Sequence, residues 1–289
     1  MRIPPSFREV DRFSRVCPVG LRFWDPVDAG WIDDGLEVFV RPVGQEWPRQ
    51  TRNPGQRLRA TRRGAWVGHD LAGLGSLELG QGDDAYWADV GVGREYDLDV
   101  TDTLDRFVPV RLRTRLPVRG WCSPACVASP PNLPLGAVPL FSSSSRPVPA
   151  GRAVVRMDLW DTEQERPAAW ALLTVTAQTP TGPYTATGMA GANGSVAVIF
   201  AYPELPPPSG PTSPPTQGMN LSDQSWPLLV DVRYGALTGE GAAAPELCTV
   251  LAQPLTSVEN LIPPVLLATR ELSLFSSTDL FRRGRVVPG

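Results

Sequence analysis

The 289-residue sequence predicts an all-β protein, two tandem β-sandwiches joined by a proline-rich connector. Three observations carry that expectation. Apolar residues alternate with polar ones in several short runs, and no segment of the first half holds a 3.6-residue period over three turns. Between Pro117 and Pro149 the composition shifts abruptly to eight prolines and the run Ser142 to Ser145, which describes an extended linker. The second half also repeats the first: Trp24 stands 12 residues before Leu36, and Trp160 stands 12 residues before Leu172.

Taken in order, residues 1–20 are polar, punctuated by proline and weakly patterned, and read as an N-terminal arm. Residues 21–116 make the first sandwich. Its strands are Leu21 to Asp25, the alternating Leu36, Val38 and Val40, the short Gly64-Ala65-Trp66-Val67, the run Arg94 to Asp102, and a closing strand with Val108, Val110 and Leu112 inward. Residues 117–149 are the connector. Residues 150–275 make the second sandwich, with a short strand led by Gly194, an alternating strand PLLVDVRY and another strand around 269–275. Seven prolines between 203 and 215 forbid a central strand there, so 202–226 reads as a long surface loop. Residues 276–289 read as a basic tail.

Composition narrows the function classes. A hydrophobic content of 42% is that of a globular chain, and no apolar run approaches the ~20 residues of a membrane span. The N-terminal residues lack the apolar core of a signal peptide. A net charge of −3 argues against a polyanion such as nucleic acid as the main partner of the fold. The four cysteines, Cys17, Cys122, Cys126 and Cys248, resemble neither a disulfide framework nor a zinc site, which fits a reduced, cytoplasmic protein. All 27 cationic side chains are arginine. The absence of lysine removes the P-loop lysine and Schiff-base chemistry. An all-arginine set suits bidentate pairing with carboxylates, and an arginine-favouring codon bias gives the same count.

No catalytic constellation emerges, and neither a cofactor nor a metal is expected. His69 is the single histidine, at a strand-to-turn junction beside Asp70, and reads as a loop residue with a local hydrogen bond. Asp33-Asp34 and Asp83-Asp84 lie in turns, where aspartate suits the backbone. Asp97, Asp99 and Asp102 start like a calcium loop, but Val108 occupies the position of its bidentate glutamate, so they read as a solvated strand face. Cys122 and Cys126 are one residue too far apart for a CxxC motif. Trp24, Trp66, Trp160 and Trp170 fall in or beside strands. Trp31, Trp47, Trp87, Trp121 and Trp226 fall in turns and loops, where an aromatic can stack on a sugar or anchor a protein interface. The candidate interface set is Trp121, Trp226 and the tail residues Phe281, Arg282, Arg283 and Arg285. The tail is expected to dock on acidic loops of a neighbour, so its deletion should leave the monomer folded.

Several stretches resemble a known family: LRFWDPVDAGWIDDGLEVFV, DRFVPVRLRTRLP, VPLFSSSSRPVPAGRAVVRMDLWD, PAAWALLTV and the segment Phe200 to Glu204. Each repeat looks like a prealbumin-like or carboxypeptidase-regulatory-like sandwich, of the immunoglobulin-like kind. Across residues 20–235 the motifs resemble a two-domain protein that accompanies bacterial phage-tail-like contractile injection systems. The resemblance implies a non-enzymatic structural part assembled in the cytoplasm, in the cap at the sheath's end or in the baseplate. Its partners would be sheath, tube, cap or baseplate subunits in a symmetric ring, with no nucleic acid and no membrane insertion. The alternative is a carbohydrate-binding or adhesin-like double sandwich.

Overall fold

A computed structural model describes residues 15–44, 55–79, 82–89, 93–124, 126, 133–179, 182–202, 225–235, 244–259, 265–267 and 279–287. The first half runs β1 (Val19–Asp25), β2 (Gly30–Ile32), β3 (Leu36–Pro42), β4 (Gln56–Arg57), β5 (Arg59–Ala60), β6 (Ala65–Gly68), a 3-10 turn (Gly75–Glu78), α1 (Asp84–Asp89), β7 (Arg94–Asp102), β8 (Val110–Leu116) and β9 (Ala137–Pro139). The second runs β10 (Arg152–Asp161), β11 (Arg166–Pro167), β12 (Leu172–Thr179), β13 (Gly182–Met189), β14 (Ser195–Ala201), β15 (Ser225–Arg233), α2 (Leu247–Leu251), β16 (Leu255–Glu259), β17 (Val265–Leu267) and β18 (Asp279–Val287). The protein is all-β, and among the described residues only these short turns are helical.

Alternation decides which faces meet. In β1, Val19, Leu21 and Phe23 are buried while Arg22 and Trp24 are not, and in β3 Leu36, Val38 and Val40 are buried between half-buried neighbours. The sheet β2-β1-β6-β5, with β9 added to β1, therefore packs its inner face on the sheet β4-β3-β7-β8. In the second half Val155, Met157 and Leu159 of β10 and Val196, Val198 and Phe200 of β14 face Leu173 and Val175 of β12 and Val232 of β15. There β16 crosses between layers, pairing β15 through Leu255 and Thr256 and β18 through Ser257 to Glu259.

The two halves share one pairing scheme. β1 pairs antiparallel with β2 and β6 and parallel with β9; β10 pairs antiparallel with β11 and β14 and parallel with β18. β3 pairs with β7, and β12 with β15. Both first hairpins turn alike. The Val27 amide donates to Asp25 Oδ1 at 2.9 Å, and the Glu163 amide donates to Asp161 Oδ1 at 3.0 Å. Four residues after each aspartate, Ala29 and Glu165 take positive φ of 49°. Gly64 and Gly194, at φ 68° and 77°, turn the chain into β6 and β14, and a Cβ on Gly194 would lie 2.4 Å from the Leu159 carbonyl oxygen.

Three expectations need correction. The expected connector belongs to the first sandwich: β9 pairs with β1, the Cys122 amide donates to the Gly20 carbonyl at 2.7 Å, and Cys122, Val138, Leu140 and Phe141 are core residues. Proline spaced by apolar residues reads as linker, yet here it lies along a sheet edge that needs few donors. The expected basic tail is strand β18, flanked by β10 over Val154 to Asp161 and by β16. Residues 15–20 of the expected arm also join the fold, with Arg15 bridging to Leu79 and β1 starting at Val19. Residues 1–14, most of loop 202–226, the strand expected at 269–275 and Trp47 lie outside the described residues.

The halves also pack on each other. Trp170, Leu172, Met189, Leu247 and Val250 join the first sandwich's core cluster, and Val27 packs with Val154, Ala197 and Ile199. Cys126 and Cys248 form a disulfide, contrary to the reduced-thiol expectation. Spacing hid the pair because its members lie 122 residues apart and meet only once α2 reaches the first half.

Candidate surface binding site

The outer face of β1 carries Gly20, Arg22 and Trp24, because Leu21 and Phe23 occupy the inner face. Trp31 of β2 lies directly across from Trp24, and their rings meet edge to face at 5.2 Å between centroids. Trp121 sits over Gly20. It is held there by the buried Cys122 next to it and by Gly136, whose φ of 72° and missing Cβ leave room for the Trp121 Cβ, 2.6 Å from where a methyl would stand. The Arg22 guanidinium carbon lies 3.6 Å from the Trp31 ring centroid and 5.4 Å from that of Trp121. The order across the face is Trp121, Arg22, Trp31, Trp24.

Arg22 is bonded unlike its neighbours. Arg41, Arg57, Arg106, Arg111, Arg113, Arg115 and Arg119 each reach a carboxylate. Among the described residues the Arg22 guanidinium has neither an ion pair nor a hydrogen bond, and its Nε is buried without a partner. Two indole faces hold the cation by its quadrupole attraction, worth ~0.5–2 kcal/mol, but they supply no acceptor. Trp121 remains 44% exposed, so the surface is open to a ligand.

Four other arginines pair with aspartates of β7. Asp99 receives Arg41 at 3.2 Å and Arg111 at 2.8 Å, Asp97 receives Arg113 at 2.9 Å, and Asp102 receives Arg106 at 3.0 Å. The three aspartates of the calcium-like spacing are thus neutralised by arginines. The hydrogen bond that Arg113 donates to Asp97 holds its guanidinium above its ordinary pKa, against the opposing effect of burial. Between the halves, buried Arg146 donates to Asp25 at 2.6 Å and 3.0 Å and to Asp28 at 3.0 Å.

The other candidate residues scatter over the fold. His69 Nδ1 lies 3.7 Å from Glu78, a fully buried carboxylate that also receives Arg15 at 2.5 Å and the Leu71 amide at 3.2 Å. Asp34 pairs with Arg106, Asp83 caps α1 through the Tyr86 amide, and Asp84 pairs with Arg119. Trp226 stands opposite Leu266 in the β15–β17 pairing. Phe281, Arg282, Arg283 and Arg285 stand opposite Arg156, Met157, Asp158 and Trp160 in the β10–β18 ladder. Of the candidate interface set, only Trp121 falls on the aromatic surface. Arg22, Trp24 and Trp31 lie outside that set, although the alternation around Leu21 and Phe23 already sends Arg22 and Trp24 outward. No group of three or more His, Cys, Asp or Glu among the described residues is placed to hold a metal.

The arrangement defines an all-β double sandwich with an aromatic–cationic surface. No family model and no curated protein matches the chain. Among solved structures it is similar to a streptococcal ancillary pilin, at 10% identity and a TM-score of 0.22, covering 97% of this chain and 65% of the pilin's length. It is similar to a candidate adhesin of Bacteroides ovatus at 14% identity and a TM-score of 0.20, covering 94% of this chain and 88% of that one. Scores of this size carry no functional argument, so the chain's own residues must supply it.

Proposed function

We propose that the protein is a non-catalytic binding module, an adhesin-like double sandwich that engages its ligand on the Trp121–Arg22–Trp31 surface. The observation that carries this reading is Arg22, a cation held between two indole rings with no acceptor of its own. A guanidinium with its faces covered and its hydrogen-bonding edge unused is a preorganised recognition group. The Cys126–Cys248 disulfide adds support, because such bonds persist in oxidising compartments. The second reading, a subunit of a contractile injection particle, rests on the motif resemblance, and the same disulfide counts against assembly in a reducing cytoplasm.

The test is binding of the intact, oxidised protein to glycan and protein arrays, repeated with Trp121→Ala. The expected result is saturable binding that falls at least tenfold in the variant while its melting temperature is unchanged. Undiminished binding by the variant, or co-purification with sheath and tube subunits and no array binding, would overturn the adhesin-like reading.

A further inference from the structure

We infer that the Trp121–Arg22–Trp31 surface is a subsite for a carboxylated sugar, a hexuronic acid unit of an anionic glycan; the inference rests on the binding-module reading above and names its ligand.

Arg22 specifies the charge. Its side chain lacks the carboxylate that Arg41, Arg106, Arg111 and Arg113 each find within the chain, and its Nε is buried without an acceptor. The guanidinium fork matches a carboxylate bidentately, so an incoming carboxylate gives the terminal nitrogens of Arg22 the kind of pairing that Arg41, Arg106, Arg111 and Arg113 find within the chain. A neutral ligand would leave that requirement unmet.

Trp121 and Trp31 specify the rest of the ligand. Trp31 covers one face of the guanidinium at 3.6 Å, which confines an incoming anion to the cation's edge. Trp121, 44% exposed and 5.4 Å from the same cation, offers an apolar face beside the spot where the carboxylate sits. A pyranose carrying a ring carboxylate meets both demands at once, with its C–H face on Trp121 and its carboxylate on Arg22. Size favours a sugar over a protein partner. One guanidinium and one half-open ring fall far short of the ~800 Å² per side of a standard protein interface. Gly136 and the buried Cys122 pack beneath Trp121, which restricts its ring before a ligand arrives.

The experiment titrates the intact protein with oligogalacturonate and with its fully methyl-esterified form, following tryptophan fluorescence and calorimetry. Expected are saturable quenching by the acid and at least tenfold weaker binding of the ester, with Arg22→Gln and Trp121→Ala each reducing acid binding at least tenfold. Equal binding of acid and ester overturns the charge assignment, and it does so without any variant having to fold. Binding of a poly-glutamate peptide with none of oligogalacturonate overturns the sugar assignment and leaves the binding-module reading standing. An Arg22→Gln protein that melts normally and binds the acid as wild type overturns the subsite.

Discussion

Arg146 shows how much one side chain carries. It is 5% exposed and satisfies Asp25 with two hydrogen bonds and Asp28 with one, while its own carbonyl accepts from Arg156. Replacing it by methionine strands the carboxylate of Asp25, itself only 6% exposed. Breaking a buried pair on one side costs ~3–5 kcal/mol, so Arg146→Met should shift the urea midpoint sharply downward; a shift equivalent to less than about 1 kcal/mol would refute the role. Asp161, the counterpart of Asp25 in the second half, is held instead by the Tyr234 hydroxyl, which donates to it at 2.9 Å. Burial, then that hydrogen bond, pushes Tyr234 up from its ordinary 10.0 to about 12. The folded state favours the neutral phenol, so the stability this adds is complete below pH 10 and is lost as pH climbs through about 12. Tyr234→Phe should flatten alkaline unfolding over that window. At neutral pH it should cost ~1–3 kcal/mol through the orphaned Asp161 oxygen, both readable from melts at stepped pH.

At the scale of elements, β18 reverses the expectation for the C-terminal residues. It adds eight register positions to β10 and pairs on its other side with β16, so it is an interior strand of its sheet. Deleting 279–287 strips partners from both neighbours and leaves two open edges, which invite aggregation. Loss of the cooperative melt and rapid proteolysis are expected; a truncated protein with the circular dichroism and melting of the full chain would restore the tail reading. β9 plays the corresponding part on β1, which is why residues beyond Leu116 belong to the first sandwich.

At the scale of the whole molecule, the described residues of the two halves share one core cluster. Trp170, Leu247 and Val250 of the second half share a core cluster with Val110 and Leu112 of the first, and the disulfide closes a 122-residue separation across that contact. A single calorimetric transition is expected for the oxidised protein, because the two halves share one core cluster and the disulfide. Cys126→Ser should lower stability by about 2–5 kcal/mol through freed chain entropy, and two separated transitions in the wild-type protein would contradict the shared core.

Local periodicity was enough for much of this fold. The alternation in LEVFV, and of Tyr96, Leu98 and Val100 in REYDLDV, sends those side chains inward, so β3 and β7 were legible as strands, while the burial of Asp97 depends on Arg113. The Trp-Asp-to-Leu interval was legible because each half needs the same aspartate-capped hairpin ahead of its next strand. Other features depend on what approaches from far along the chain. Proline and arginine near residues 117–149 and 276–289 look like linker and tail by composition, and only pairing with β1, β10 and β16 makes β9 and β18 strands. Cys126 finds Cys248, and Arg146 finds Asp25, across separations that no local pattern encodes. The candidate site divides the same way. Alternation sends Arg22 and Trp24 outward, while the stacking of Trp31 and Trp121 on Arg22 exists only because β2 and the segment before Cys122 fold onto the same face.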